Sequence, residues 1–402
     1  MKQILMPAIA AAMLIFAATG CGESGNNNTD SGKAKYIFLF IGDGMGANHV
    51  ATAESYLSYK EGKLGGEQLV FTGFPYYGTA TNFSADKHVT CSAASGTAIA
   101  CGSKTYNSKL GTDVNGEKLR SMAYDLKDDG YKIGIITTVP VNHATPGAFY
   151  ANVQNRGEYY SVSCQIPDSG FDFFAGSGFI DYRDKDGNAR PVDEYIEEKG
   201  YKVCYGPEEF QENRTEYDKI VFCQESNRSE NADNYVGDGK EAEDATLSQM
   251  LEMGMDFIGS DSPFFFMCEG GKIDWTAHEN KTMPMVMDML EFNDAVKVAY
   301  DFYLGHPDET LIVVTADHET GGLSLGCGRE TINWEKMEAE WIEGGRKNML
   351  DEKKNMELNK ECSIGWTTHS HTGSPVPVFA IGKGAEKFSG RMDNTDIKGK
   401  IL

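Results

Sequence analysis

Four short runs of apolar, β-favouring residues recur along the chain, at Tyr36–Ile41, Lys132–Thr138, Pro263–Cys268 and Thr310–Thr315. They form unbroken blocks, as strands buried on both faces of a parallel sheet do. Helical patterns fall between them, at Glu117–Asp129, Glu241–Ile258 and Met285–Leu304, and a further strand is expected at Val376–Ile381. Strand and helix thus alternate from end to end. This order predicts an α/β fold with an open, mostly parallel central sheet and helices on both faces. Ligands of such sheets bind beyond the carboxyl ends of the strands, where Asp43, His143, Glu269 and Asp317 all fall.

Two stretches break the alternation. Residues 157–234 mix short strand-like and helical pieces with many Gly, Asp and Asn, and read as decoration on the sheet. Residues 331–359 are charged and largely helical, and read as an insertion between two groups of candidate ligands. The amino terminus has Lys2, an apolar run from Ile4 to Ala18, and small residues ending in Gly20 and Cys21. That is the layout of a signal peptide over residues 1–20. Ala18-Thr19-Gly20-Cys21 resembles a bacterial lipobox, with Ala18 in place of the usual Leu, so lipid on Cys21 is expected to anchor the exported protein in the periplasm, outer membrane or cell surface. Residues 21–34 are small and polar, as a flexible tether would be, and 35–402 form one folded domain. Apart from Cys21 there are eight cysteines. Export permits their oxidation, and a bridge among Cys164, Cys204 and Cys223 is the expected pairing.

Of the 402 residues, 40% are hydrophobic and 24% charged, which supplies a sizeable core. The formal net charge is −23, from 60 acidic against 37 basic residues. It repels nucleic acid, so no nucleic-acid partner is expected. It also repels small anions at long range, so a site that processes them needs its own positive charge, which bound metal ions supply.

The candidate chemistry sits in a few segments. Glu269-Gly-Gly-Lys-Ile-Asp274-Trp275-Thr-Ala-His278 places Asp274 and His278 four apart, on one face of a helix, a spacing that suits one metal ion. Asp317-His318 ends a strongly apolar strand, where a buried acid and imidazole need partners. Gly42-Asp43-Gly44 puts a carboxylate between glycines after the first strand, and His369-Ser-His371 offers imidazoles near the end, His371 being the candidate ligand beside its Thr-Gly turn. An Asp/His mixture favours zinc. Asp43, Thr145 and Glu269 make an all-oxygen set suited to magnesium. The small residues from Val89 to Ala98, Ser92 among them, open a helix whose amino terminus would bind an anion and present a hydroxyl that could attack phosphorus. Arg156 brings a planar fork that matches two phosphoryl oxygens. Taken singly, each has a bland alternative: a surface Asp/His pair, a hydrogen bond at a strand end, a close-packed helix, an unpaired arginine.

Together and in this order, from Tyr36 to the carboxyl terminus, these segments resemble the alkaline phosphatase family. The resemblance implies hydrolysis of phosphate monoesters through a phosphoserine on Ser92, with Arg156 binding phosphate. It implies one zinc on Asp274, His278 and His371, a second on Asp43, Asp317 and His318, and a third metal on Asp43, Thr145 and Glu269. Homodimers are common in the family. The chain departs from the family at Cys91, where Asp often precedes the nucleophile and helps orient the arginine. It also carries His143 and Trp275 beside the ligands, and an imidazole there would shift the third site from magnesium toward zinc or cobalt. Sulfatases of the same superfamily resemble one another in Cys-x-Pro-x-Arg, whereas Cys91 is followed by Ala93 and Ser95 at those positions.

Overall fold

The computed structural model describes residues 32–184, 186–187, 189–227, 244–328, 330–348 and 351–402. The signal peptide, Cys21 and most of the tether lie outside the described residues. In chain order the strands are β1 Tyr36–Gly42, β2 Tyr76–Thr81, β3 Lys132–Thr137, β4 Phe173–Gly176, β5 Lys202–Tyr205, β6 Ile220–Cys223, β7 Phe264–Gly270, β8 Thr310–Thr315, β9 Glu319–Thr320, β10 Ser324–Leu325, β11 Ile364–Gly365, β12 His371–Thr372, β13 Val376–Gly382 and β14 Gly390–Asp393. Ten of them form one sheet in the order β14-β2-β13-β8-β1-β7-β3-β4-β6-β5. Its strands run parallel except β13, which is antiparallel to both neighbours.

The four apolar runs are the adjacent strands β8, β1, β7 and β3 at the centre of the sheet. Every residue of β1, β7 and β8 is buried, which is why those runs show no polar alternation. Alternation instead sorts side chains between two helical layers. Phe264 meets Phe302 of the helix Thr282–Gly305, while its neighbour Phe265 meets Phe149, in the turn that ends the short helix Ala144–Gly147, so these two helices lie on opposite faces. Gly134 of β3 lies level with Phe266 of β7, and a Cβ there would stand 2.2 Å from the Phe266 ring.

The helix expected at Glu117–Asp129 starts later, at Met122. Asp113 accepts the amides of Asn115 and Glu117, holding the preceding residues in a turn. The helix Leu247–Ile258 starts at a capping box in which Thr246 and Gln249 exchange hydrogen bonds; the earlier residues 241–243 of the expected helix lie outside the described residues. Residues 157–234 are more than decoration, because they contribute β4, β6 and β5 to one end of the main sheet. These strands have four residues each, too short to carry a pattern in sequence.

The bridge expected among Cys164, Cys204 and Cys223 is absent: these three are free thiols, as are the other five described cysteines. Cys204 is level with Phe222, and Cys223 with Tyr205. The one-residue offset turns the two thiols to opposite faces of the sheet. No helix among the described residues is long and apolar enough to cross a membrane.

Candidate active site

The candidate residues converge beyond the carboxyl ends of β1, β3, β7 and β8. Asp43 follows β1, Glu269 lies within the last residues of β7, Asp317 follows β8, and His143 caps the short helix Ala144–Gly147 that carries Thr145. Asp274 and His278 occupy the helix Lys272–His278 just after β7. Gly44 makes this crowding possible. It has φ +75°, and a Cβ there would lie 2.8 Å from Thr320 Oγ1 and 2.9 Å from Asp274 Cα. The ribbon of β9 and β12 pairs His371 with Thr320, which brings the distant histidine over His318.

Three sets of possible ligand atoms result, each within 4.8 Å: Asp274, His318 and His371; Asp43, Asp317 and His318; and Asp43, His143 and Glu269. His278 adjoins the first set, its Nε2 3.4 Å from an Asp274 oxygen and 3.0 Å from His371 Nε2. The sets share His318 and Asp43. The third includes the His143 ring, which the sequence placed beside the ligands.

The polar balance of this cluster fits cations. Both Asp43 oxygens, Asp317 Oδ2, Glu269 Oε1, Thr145 Oγ1 and His143 Nδ1 are buried without a hydrogen-bond partner. Unsatisfied groups at this density are costly unless something neutralises them. Burial pushes Asp43 well up, with Asp317, Asp274 and Glu269 adding repulsion. Burial likewise pushes Asp317 up to about 7 and Glu269 to about 8. Burial also opposes the Asp274 carboxylate, but the hydrogen bond from His278 and the positive charge of that ring outweigh it and hold it down. The same hydrogen bond raises His278 to about 9. Burial pushes His318 and His371 down, keeping their rings neutral and their lone pairs available.

Thr320 determines which lone pair His318 presents. Its hydroxyl donates to Asp274 Oδ1, so its oxygen is left to accept from His318 Nδ1 at 3.2 Å. The free lone pair is then on Nε2, which stands 3.3 Å from Asp43 Oδ1, 3.3 Å from Asp317 Oδ2 and 3.3 Å from Ser92 Oγ. In sequence Thr320 is one of many threonines. Thr137, whose hydroxyl donates to Glu269 Oε2, is equally silent there.

Ser92 is the first residue of the helix Ser92–Cys101, where free amides and the helix dipole favour an anion. The two rival nucleophiles are occupied. Cys91 Sγ accepts the Ser108 amide at 3.1 Å, while Ser95 Oγ donates to the Asp317 carbonyl at 2.6 Å. Arg156 is partly buried, and its Nη2 donates to His143 Nε2 at 2.7 Å. His369 points away from the cluster: its Nδ1 pairs with the His278 carbonyl, and its own carbonyl takes the His278 Nδ1 proton.

The fold and these clustered residues define a hydrolase of the alkaline phosphatase class. The alkaline phosphatase family model matches residues 34–177 and 229–402, and the chain belongs to this family. It is an alkaline phosphatase, an enzyme that acts on phosphate monoesters. It is similar to alkaline phosphatase 4 of Bacillus subtilis, 28% identical over 98% of this chain and 95% of the relative. Its structure is similar to that of the alkaline phosphatase from the Antarctic bacterium TAB5, with TM-score 0.75 and 28% identity over 92% of this chain and 97% of that one. A His-to-Asp variant of the TAB5 enzyme, with magnesium bound in its M3 site, aligns with TM-score 0.74 and 27% identity over 92% and 97% of the two chains.

Proposed function

We propose that this alkaline phosphatase works through a phosphoserine on Ser92, with metal ions held by the buried acid and histidine cluster. The observation that carries the reading is the position of Ser92 Oγ, 3.3 Å from His318 Nε2, the same atom that stands 3.3 Å from the unpartnered oxygens Asp43 Oδ1 and Asp317 Oδ2. Zinc is proposed on Asp274, His278 and His371, and on Asp43, Asp317 and His318, because mixed nitrogen and oxygen donors suit it. The third site would hold its ion on Asp43, Thr145 and Glu269. Its oxygens suit magnesium, the ion present at M3 in the TAB5 variant, whereas a free lone pair on the neighbouring His143 would favour zinc or cobalt.

When bound, the ions would supply the positive charge that makes a hydroxyl nucleophilic and offsets the charge of the ester. The chain does the rest. The Ser92 helix end and the Arg156 fork hold the nonbridging phosphoryl oxygens. Ser92 Oγ forms a bond to phosphorus as the bond to the leaving oxygen breaks, and water later splits the Ser92 ester to give inorganic phosphate. Hydrolysis of an aryl monoester, followed after chelation and after separate return of zinc and magnesium, tests this. Full activity of the metal-free protein would end the reading.

Export and anchoring through lipid on Cys21 are part of the same proposal. They rest on the apolar run from Ile4 to Ala18 and the small residues that end in Cys21.

A further inference from the structure

We propose that His143 is a positioning residue for phosphate recognition: it fixes the Arg156 guanidinium in the place of the absent acid before Ser92. This rests on the functional reading above, and in particular on Arg156 as a phosphate ligand. An arginine beside the nucleophile is useful only if its planar fork is already oriented, because freezing a long side chain on binding costs affinity. A carboxylate before the nucleophile would orient it, but residue 91 is cysteine, and its sulfur is taken by the Ser108 amide at 3.1 Å. Cys91 therefore acts on Arg156 only through the backbone, because the Ser108 carbonyl accepts the Arg156 amide at 2.7 Å. The guanidinium itself is held from the other side, by His143 Nε2 at 2.7 Å.

The rest of the His143 environment makes that ring a firm support. It is buried, it begins the short helix bearing Thr145, and its face-to-edge contact with Trp275 has centroids 5.8 Å apart and planes at 80°. Trp275 belongs to the helix of Asp274 and His278, so the arginine is referenced through one imidazole to the metal-binding helix. Because arginine can only donate, Nε2 must offer its lone pair, which puts the neutral ring's proton on Nδ1. Held in this way, His143 has no lone pair left for the third site, so the shift toward zinc or cobalt expected from its imidazole does not arise and the oxygens of Asp43, Thr145 and Glu269 select the ion.

The test measures binding of inorganic phosphate by calorimetry to the metal-loaded enzyme, with metal content read by emission spectrometry. His143→Phe keeps an aromatic ring against Trp275 but cannot accept, and should loosen phosphate roughly tenfold, the scale of one charge-assisted hydrogen bond, with metal content unchanged. His143→Gln restores an acceptor and should recover most of that loss. In an Arg156→Ala background, His143→Phe should change phosphate affinity less than about twofold, since the two effects run through one contact. Equal loosening with and without Arg156 would overturn the proposal. So would a loss that follows depletion of the third ion and reverses on saturating magnesium. Failure of the underlying reading looks different: Arg156→Ala alone would then leave phosphate binding untouched.

Discussion

The rings of His318 and His371 stack with centroids 3.6 Å apart and planes 20° from parallel. A two-residue ribbon holds them there, since His371 pairs with Thr320 across β9 and β12. The same Thr320 donates to Asp274 and accepts from His318, so one hydroxyl orients a candidate ligand from each of two adjoining sets. Thr320→Val keeps the shape and removes both bonds. It should weaken metal binding by about ten- to a hundredfold, as loss of a partner behind a ligand does, and more zinc should be needed to restore activity. Zinc titration of the metal-free variant checks this.

Metal removal should make stability depend on pH in a definite direction. Asp317 rises from 3.8 to about 7 and Glu269 from 4.5 to about 8 in the folded protein without ions, and Asp43 rises as well. In that window these three acids hold more protons in the folded state than in the unfolded one, so their contribution to stability falls as pH rises from about 4 to about 8, whereas the imidazoles of His318 and His371, neutral in the fold with or without ions, act alike on both forms. Ions remove the effect by keeping the carboxylates ionised in the fold. Melting temperatures of chelated and zinc-loaded protein across that range should therefore diverge upward in pH. Parallel curves would contradict the assignment of these acids to ion sites.

The insertion should matter to the site although it carries no ligand. Its second helix, Glu352–Glu361, buries Asn355 and Asn359 on one face. Both donate to the Asn280 carbonyl, at 2.9 and 2.8 Å, just beyond the helix that bears Asp274 and His278. Asn355→Ala or Asn359→Ala should cost about 1–2 kcal/mol of stability for the lost buried bond. Zinc affinity should fall with it, as the end of the ligand-bearing helix loosens. Chemical denaturation of holo and metal-free forms separates the two effects.

The central strands were legible because burial on both faces removes polar punctuation from β1, β3, β7 and β8. Strand β2 was not, since half-buried and exposed residues interrupt it. The four-residue strands β4, β5 and β6 carry too little pattern, and the family model also skips residues 178–228, where β5 and β6 lie. Asp43, Asp274, His278, Asp317 and His318 stood out because acids and imidazoles at strand ends are chemically conspicuous. Thr137, Thr320, Asn355 and Asn359 could not, because their work depends on partners far away in sequence. The contact between His143 and Arg156 was hidden for the same reason.

Cys21→Ser tests anchoring apart from catalysis. It should yield a soluble form or an uncleaved precursor, with turnover of aryl phosphate unchanged, because the residues proposed to bind and react all lie between Tyr36 and the carboxyl terminus. Fractionation of cells expressing the two forms reads this directly, and unchanged membrane partitioning would argue against lipid at Cys21.

The identity of the attacking atom is tested most directly by trapping phosphate on the enzyme. The metal-loaded protein is mixed with a labelled monoester, quenched in acid, digested and mapped by mass spectrometry. The label should sit on Ser92, and Ser92→Ala should lose it and several orders of magnitude of turnover while retaining its metals, as removal of a catalytic nucleophile does. Cys91→Ala should still trap phosphate on Ser92 and lose little turnover, because its sulfur serves the Ser108 amide. Phosphate on Cys91, or full turnover by Ser92→Ala, would contradict the account.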